Sequence, residues 1–344
     1  MRLPVISLFC GAGGLDCGFQ EAGFSTVLAI DNALSAVDSF NLNLKQEIAI
    51  QADLVQLRSS KLIELIDSRC RGVRPVGIIG GPPCQGFSIG NVYSDPDDIR
   101  NQLPFRFSKL LGQLNQHYSI DFFVFENVLG LTTAKHSDRF KKIKTAFRRA
   151  GFNLFEQEID AMKFGVPQAR KRLFVIGLNN RLYAGQIFNF PMGSETRTNV
   201  RDAIGNLPEP TYFVRGMKSA KSGLHPNHWT MMPKSSRFAT GDYNSGRSFK
   251  KLEWDKASPT VAYGNREIHI HPDGGRRLSV YEAMLLQGFP RDYQLVGNLS
   301  EQITQVCNAV PPPVALEIAI ALRTLIETRA ERTMQTISSA GAYP

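Results

Sequence analysis

The sequence predicts an α/β protein in which a doubly wound, mostly parallel sheet carries a smaller irregular domain. In the first half of the 344-residue chain, short apolar runs typical of buried strands alternate with segments of helical length and spacing. The alternation stops after Gly177, and residues 179–276 are rich in Gly, Pro, Asn and Ser and only weakly periodic. No internal repeat favours a different architecture.

Six apolar runs are the candidate strands, and we place them at residues 5–9, 27–30, 48–50, 76–79, 122–125 and 173–176. Helices are predicted between them, notably over 60–69 and 103–117, and a final helix over 314–328. The predicted organisation is a first, α/β domain over 1–178, a second, irregular domain over 179–276, a return to the first domain over 277–330 and a flexible tail over 331–344.

The composition, 42% hydrophobic and 21% charged, is that of an ordinary globular protein and excludes extended disorder. The most apolar stretch, 310–322, is interrupted by prolines and a glutamate, and the first nine residues lead into a glycine-rich loop, so we expect neither a membrane span nor a signal peptide. Five scattered cysteines without a C-x-x-C pair indicate reduced thiols in a cytoplasmic protein. No metal site is expected, because no cysteine or acid cluster accompanies the candidate histidines, which are His225, His228, His269 and His271.

The net charge of +9 is concentrated in two segments. Residues 213–251 hold eight basic residues and one acidic residue, interleaved with glycines and aromatic residues in no regular period. This pattern favours a surface that binds the phosphates of a nucleic acid. Residues 139–149 hold six basic residues and no acid, with apolar residues at helical spacing, and this pattern favours the solvated face of an amphipathic helix.

A glycine-rich loop, residues 9–14, follows the first predicted strand and precedes a predicted helix. Doubly wound folds bind nucleotides at such turns, and Asp31 and Asp53 follow the next two strands, where they could accept hydrogen bonds from a ribose and an adenine. A plain tight turn is the alternative. Asp16 stands where the dinucleotide fingerprint requires a glycine, which disfavours a nicotinamide-dependent dehydrogenase.

Two prolines, Pro82 and Pro83, precede Cys84 just after the fourth predicted strand, and glycines flank this group on both sides. The prolines fix the backbone, and the glycines allow a substrate to approach closely. Glu126 ends the fifth predicted strand, at the same edge of the sheet. The sequence therefore predicts a nucleophilic thiolate with an acid partner. The other cysteines are interpreted as small buried apolar residues, and they are Cys10, Cys17, Cys70 and Cys307.

These motifs resemble those of the DNA (cytosine-5) methyltransferases of bacterial restriction-modification systems, over most of the chain. The matching segments, in the family's order, are residues 9–14, 82–85, 126–128, 168–172, 282–290 and 308–311. Two positions depart from the family: Cys307 stands where glycine is more common before Asn308, and Asp31 stands where glutamate is common.

The resemblance implies the S-adenosylmethionine-dependent methyltransferase fold and methyl transfer to carbon 5 of a cytosine that is flipped out of a specific duplex DNA sequence. It implies that residues 1–178 form the catalytic and cofactor-binding domain and that residues 179–276 form a target-recognition domain. It implies that Cys84 adds covalently to carbon 6, that Glu126 protonates nitrogen 3, and that Arg170 and Arg172 stabilise charge near oxygen 2. The candidate cofactor-binding residues are Phe9, Gly11, Gly13, Gly14, Asp31, Asp53, Pro82 and Asn308. The candidate DNA-binding residues are Gln85, Ser88, Arg215, Lys234, Arg237, Arg247, Lys250 and Lys251.

Two alternatives remain, an RNA (tRNA) cytosine-5 methyltransferase and a catalytically silent DNA-binding relative. The intact set of Cys84, Glu126, Arg170 and Arg172 disfavours the second. We expect a monomer that binds double-stranded DNA. The resemblance is compatible with a cognate restriction endonuclease that acts on the same site, but the sequence does not identify one. Nor does the sequence predict which DNA sequence is recognised.

Overall fold

The computed structural model describes residues 3–70, 72–83, 102–217, 219–220, 223–243, 249–260 and 268–340. The first eight strands are β1 (Leu3–Leu8), β2 (Phe24–Asp31), β3 (Ala49–Gln51), β4 (Gly77–Gly80), β5 (Phe122–Asn127), β6 (Phe152–Asp160), β7 (Gln168–Ala169) and β8 (Lys171–Asn179). All of them except β7 form one seven-stranded sheet in the order β3-β2-β1-β4-β5-β8-β6. The pairs from β3 to β5 are parallel, which confirms the predicted doubly wound, mostly parallel α/β fold.

The far edge of the sheet differs from the prediction. β8 runs antiparallel to both of its neighbours, β5 and β6, and β6 was not among the predicted strands. The sequence of β6 gives a weak strand signal because most of its residues are half-buried or exposed at the sheet edge, among them Glu156.

Ten helices are described, namely α1 (Gly14–Glu21), α2 (Leu34–Leu44), α3 (Ser59–Cys70), α4 (Leu103–Tyr118), α5 (Ser137–Arg149), α6 (Val200–Ile204), α7 (Ser236–Thr240), α8 (Val280–Leu286), α9 (Leu299–Asn308) and α10 (Pro312–Ala340). Helices α3, α4 and α5 cover one face of the sheet, and α1, α2 and α10 cover the other. The apolar stripe of α5 is buried and its basic residues face outward, as predicted for an amphipathic helix.

Helix α10 returns the end of the described chain to its beginning by packing directly on α1. The two backbones approach so closely at Gly18 that a Cβ atom there would lie 2.4 Å from the backbone nitrogen of Leu316. Only glycine is compatible with this contact. The helix continues to Ala340, so residues 331–340 are helical where the sequence predicts a tail.

The remaining strands are short: β9 (Thr211–Tyr212), β10 (Trp229–Thr230), β11 (Phe249–Lys251), β12 (Ser258–Pro259) and β13 (Ile268–Ile270). Trp229 and Leu252 from this part of the chain share one apolar core with Met284 of α8 and Val306 of α9. Because the core crosses the predicted boundary at residue 276, a separate recognition domain remains a prediction.

Among the described residues, no single helix is long and apolar enough to cross a membrane. The bent pair of Leu299–Asn308 and Pro312–Arg332 meets that test only when its two helices are combined, by length and composition alone.

Candidate active site

The main candidate site is an open cavity of about 870 Å³ at the carboxyl ends of the parallel strands. The strand order reverses between β1 and β4, which leaves a crevice between the loops that follow them. The loops after β1, β2, β3, β4 and β5 all contribute to the cavity wall. Parallel pairing therefore brings together motifs that are far apart in the sequence.

Asp31 organises the glycine-rich loop at one end of the cavity. Its Oδ2 atom accepts a hydrogen bond from the Gly11 amide at 2.9 Å, and its Oδ1 atom accepts one from the Ala33 amide at 3.0 Å. Burial raises the pKa of Asp31, and these amide contacts oppose the rise. Each carboxylate oxygen can accept a second hydrogen bond, so Asp31 can hold the loop and bind a hydroxyl group at the same time.

The two other glycines of this loop have a packing role. A Cβ atom at Gly13 would lie 2.8 Å from Tyr293 Oη and 2.9 Å from Phe40 Cδ2, and a Cβ atom at Gly14 would lie 2.4 Å from the carbonyl oxygen of Val310. Gly14 still borders the cavity, whereas Gly13 does not. The side where a Gly13 side chain would lie is filled by Tyr293 and Phe40, and contact between Gly13 and a cofactor stays a prediction. Gly11, which has a φ of +53° and no atom near its absent Cβ, is the glycine that leaves open space in the cavity.

The other predicted cofactor-binding residues lie around the same cavity. Phe9 follows β1, Asp53 is exposed in the loop after β3, and Pro82 is buried in the loop after β4. Asn308, the last residue of α9, also borders the cavity.

At the other end of the cavity, Glu126 lies near the end of β5, and Arg172 reaches it from β8. The Arg172 Nε atom lies 3.2 Å from Glu126 Oε1. This pair depends on the antiparallel direction of β8, because Asn127 pairs with Leu173 and the start of β8 therefore lies at the end of β5. The neighbouring Asn127 donates a hydrogen bond from Nδ2 to the Pro82 carbonyl at 3.2 Å, which attaches the proline loop to the same edge.

Burial raises the pKa of Glu126, and the positive charges of Arg172 and Arg170 oppose the rise. The Arg170 side chain is almost fully buried, and burial together with the nearby Arg172 lowers its pKa to about 9. Its Nη2 atom donates to the Cys307 carbonyl at 3.2 Å, while Nε and Nη1 have no hydrogen-bond partner among the described residues. A buried guanidinium with unused donors favours a ligand that carries or develops negative charge.

This arrangement can protonate a bound ring and stabilise negative charge on it. Burial makes the Glu126 carboxyl easier to protonate than an exposed one, and the two arginines supply the positive charge. Cys84 directly follows Pro83, which is described at the cavity wall, but Cys84 itself lies outside the described residues, as do Gln85, Ser88 and Arg247.

The predicted DNA-binding residues that are described fall into two groups. Arg237 lies over the ring of Phe249 in β11, at 5.2 Å from its centroid, and Lys250 and Lys251 belong to the same strand. Arg215 and Lys234 are exposed and follow the paired strands β9 and β10.

Of the four cysteines that were predicted to be buried, only two are fully buried. Cys10 and Cys70 are buried, whereas Cys17 and Cys307 are half-buried, and both Cys10 and Cys307 border the cavity. Burial is the largest cause that raises the pKa of the Cys10 thiol, and the nearby Asp31 adds to it. A thiol in that state is a poor nucleophile.

The four histidines that were considered and rejected as metal ligands are all buried. His225 stacks on Tyr281 with the ring centroids 4.0 Å apart, and burial lowers the pKa of His225 to about 4. His228 lies 3.0 Å from Ser279 Oγ through Nδ1 and 2.7 Å from the Pro208 carbonyl through Nε2.

Asp16, considered in the sequence only as a missing glycine, has a structural role beneath the cavity. Its carboxyl group accepts hydrogen bonds from Ser7 Oγ and Thr26 Oγ1, each at 2.8 Å, and so ties α1 to β1 and β2. Burial raises the pKa of Asp16 to about 6. No spacing pattern could have revealed this role, because the partner hydroxyls lie on two different strands.

Residues 3–324 match the family model described as C-5 cytosine-specific DNA methylase. The chain is 32% identical to the Type II methyltransferase M.MthTI of Methanothermobacter thermautotrophicus, over 95% of this chain and 99% of that protein. It is 35% identical to M1.HphI of Haemophilus parahaemolyticus, over 94% and 87%. A crystal structure described as a prophage-encoded DNA modification methyltransferase from E. coli superposes with a TM-score of 0.76 at 26% identity, over 95% of this chain and all of that one. The S. pombe Dnmt2 methyltransferase shares the fold, with a TM-score of 0.66 at 19% identity, over 94% and 99%.

Proposed function

Because the chain belongs to the C-5 cytosine-specific DNA methylase family and is a DNA (cytosine-5) methyltransferase, we propose the following reaction. The enzyme transfers the methyl group of S-adenosylmethionine to carbon 5 of a cytosine flipped out of a specific duplex DNA sequence, through a covalent Cys84 adduct at carbon 6. The observation that carries this proposal is the buried group of Glu126, Arg170 and Arg172, which shares one cavity with the loop leading to Cys84.

The residues that line the cavity suit S-adenosylmethionine in their chemistry. It extends from the glycine-rich loop to Glu126, with open space at Gly11 and carboxylates at Asp31 and Asp53 for ribose and adenine groups. Bound there, the cofactor would supply an electrophilic methyl group on a sulfonium. The residues at the glycine-loop end of the cavity would hold the nucleoside, and those at the Glu126 end would hold the cytosine.

Carbon 5 of cytosine is a weak nucleophile until the ring is activated. When the Cys84 thiolate forms a bond to carbon 6, the electron pair of the 5,6 double bond moves through carbon 4 towards nitrogen 3. Glu126 delivers a proton to nitrogen 3, and the product is an enamine whose carbon 5 is nucleophilic. The raised pKa of Glu126 supports this role, because the carboxyl must hold its proton near neutral pH.

The two arginines act while the ring carries excess electron density. The unused donors of Arg170 and the guanidinium of Arg172 would stabilise charge that spreads to oxygen 2. When carbon 5 takes the methyl group, the bond from that carbon to the sulfonium would break and S-adenosylhomocysteine would be left. Water or hydroxide then removes the proton on carbon 5, the Cys84 thiolate leaves carbon 6, and the nitrogen 3 proton returns to Glu126. The ring double bond is then restored and the protein is unchanged.

Carbon 6 cannot be reached inside a stacked duplex, so this mechanism requires flipping of the target base at a cost of a few kcal/mol. The basic segment 213–251, with exposed Arg215, Lys234 and Lys251, supplies cationic side chains that could repay this cost through phosphate contacts.

The test is bisulfite sequencing of DNA from cells that express the chain, with Cys84→Ser as the matched control. We expect protected cytosines within one short sequence and none with the variant. Methylation of tRNA from the same cells without methylation of DNA would instead select the RNA alternative. Protection of equal extent with Cys84→Ser would contradict the covalent mechanism.

A further inference from the structure

The loop between β3 and α3 forms one wall of the cavity. β3 is an edge strand of three residues, and Ala52, Asp53 and Leu54 border the cavity just after it. Asp53 folds this loop locally, since its Oδ1 atom accepts the Val55 amide at 2.8 Å and its carbonyl accepts the Leu57 amide at 2.9 Å. These bonds shape the turn, but they do not attach it to the rest of the protein.

Arg106, in α4, makes that attachment. Its Nε atom donates to the Leu54 carbonyl at 2.6 Å, and its Nη2 atom donates to the Leu57 carbonyl. The side chain is half-buried, and it has no ion-pair partner within the described part of the chain. Burial lowers the pKa of Arg106, and the charge of Asp53 opposes this change. A partly desolvated guanidinium is therefore used to hold two backbone carbonyls beside Asp53.

We propose that Arg106 is a positioning residue for cofactor binding. It holds the loop between β3 and α3 where Asp53 can accept a hydrogen bond from the amino group of the adenine. This inference rests on the proposed use of S-adenosylmethionine. The two carbonyls are three residues apart and are bound by two nitrogens of one planar guanidinium, whereas a lysine ammonium would have to bind both through one nitrogen. Because Arg106 acts only through the loop, its removal changes cofactor affinity and not the chemistry at Glu126.

The chain offers a matched control in Arg69, near the end of α3. Its Nη1 atom donates to the carbonyls of Glu47 and Ile48, at 3.1 and 2.7 Å, just before β3 begins. Arg69 does not border the cavity. Arg69→Ala therefore removes similar contacts from the other end of the same edge strand and leaves the Asp53 wall in place.

The experiment is calorimetric titration of the full chain with two ligands, S-adenosylhomocysteine and its analogue in which oxygen replaces the adenine amino group. We expect Arg106→Ala to weaken S-adenosylhomocysteine binding by about tenfold and to lose most of the preference for the ligand that carries the amino group. Arg106→Lys should give an intermediate loss, and Arg69→Ala should bind as the wild type does. At saturating cofactor, kcat of Arg106→Ala should stay within about twofold of the wild type, so the effect falls on KM.

The outcomes separate this inference from the proposed function. If the wild type binds no S-adenosylhomocysteine, the proposed cofactor is wrong. If it binds normally and Arg106→Ala binds equally well, only the role of Arg106 is wrong. Equal losses for both ligands in Arg106→Ala and Arg69→Ala would mean that either change merely loosens the edge strand. Thermal unfolding of each variant checks that it is folded, and Arg106→Lys alone decides the matter if Arg106→Ala does not fold.

Discussion

The Asp16 carboxyl group should make the protein less stable as pH rises, whereas most carboxyl groups have the opposite effect. Replacement by asparagine (Asp16→Asn) should remove this pH dependence. Burial raises the pKa of Asp16 from 3.8 to about 6. Between these two values the folded protein retains the proton and the unfolded chain releases it. Stability therefore falls as pH rises through this window, and the loss is complete above about pH 6.

The size of the effect follows from the shift. Two pKa units correspond to about 3 kcal/mol, of which about 2 kcal/mol is lost between pH 4.5 and pH 7.5. Asparagine has the shape of aspartate and cannot ionise, so the variant lacks this loss. It can accept one hydroxyl hydrogen bond and donate to the other hydroxyl, and the exchange costs about 1 kcal/mol at any pH.

The assay is urea unfolding of the wild type and of Asp16→Asn at several pH values from 4.5 to 7.5. We expect the stability of the variant relative to the wild type to rise by about 2 kcal/mol across this range. Asp138→Asn removes a charge at an exposed position of α5 and controls for the change in net charge. A difference that stays constant with pH, or that falls as pH rises, would refute the assignment of a raised pKa to Asp16.

Four further predictions concern the reaction, the DNA surface and the packing of the cofactor loop. Cys84→Ser should lower kcat by more than about a thousandfold without weakening DNA binding, because a hydroxyl is almost never ionised near neutral pH. DNA that carries 5-fluorocytosine should trap a covalent adduct with the wild type, and peptide mapping should find this adduct on Cys84. An adduct on another cysteine would contradict the mechanism. Glu126→Gln should lower kcat by about a hundredfold or more, because an amide cannot deliver a proton, and single-turnover kinetics with wild-type activity would exclude the acid role. Joint replacement of Lys250 and Lys251 by alanine should reduce the slope of log affinity against log salt by up to about two, whereas an unchanged slope would mean that neither contacts phosphate. Gly14→Ala should lower the free energy of unfolding by about 1–3 kcal/mol, because its Cβ would lie 2.4 Å from the Val310 carbonyl, and an unchanged Tm would show that α1 can shift away.

The sequence predicted the sheet and the acid end of the cavity because both depend on strand order. Glu126 follows a strongly apolar run, and the carboxyl ends of parallel strands meet at one edge, so its placement beside the proline loop could be inferred. The position of Arg172 could not be inferred in this way. It depends on the antiparallel direction of β8, and an apolar run does not report its own direction.

Other features escaped prediction because they depend on packing between segments distant in the sequence. Arg106 is one of many arginines, and no local pattern shows that it binds two carbonyls of a loop about fifty residues earlier. A glycine in a loop also does not reveal which side chains lie beside it, and at Gly13 these are Tyr293 and Phe40. Specific residue roles therefore required the three-dimensional contacts.

The contact between α1 and α10 has a consequence for how the enzyme is made and how it could be divided. One wall of the cavity comes from residues near Gly11 and another from residues near Asn308, so no partial chain that stops before α9 contains the whole binding site. A ribosome would complete nearly the whole described chain before the enzyme could act on DNA. For the same reason, a cut in the exposed stretch around Ser194 would yield two fragments that are each inactive. Activity recovered on mixing the two fragments would report their reassembly through the contact between α1 and α10. If each fragment were fused to a protein that binds a chosen DNA sequence, methylation would be confined to sites where both fragments meet.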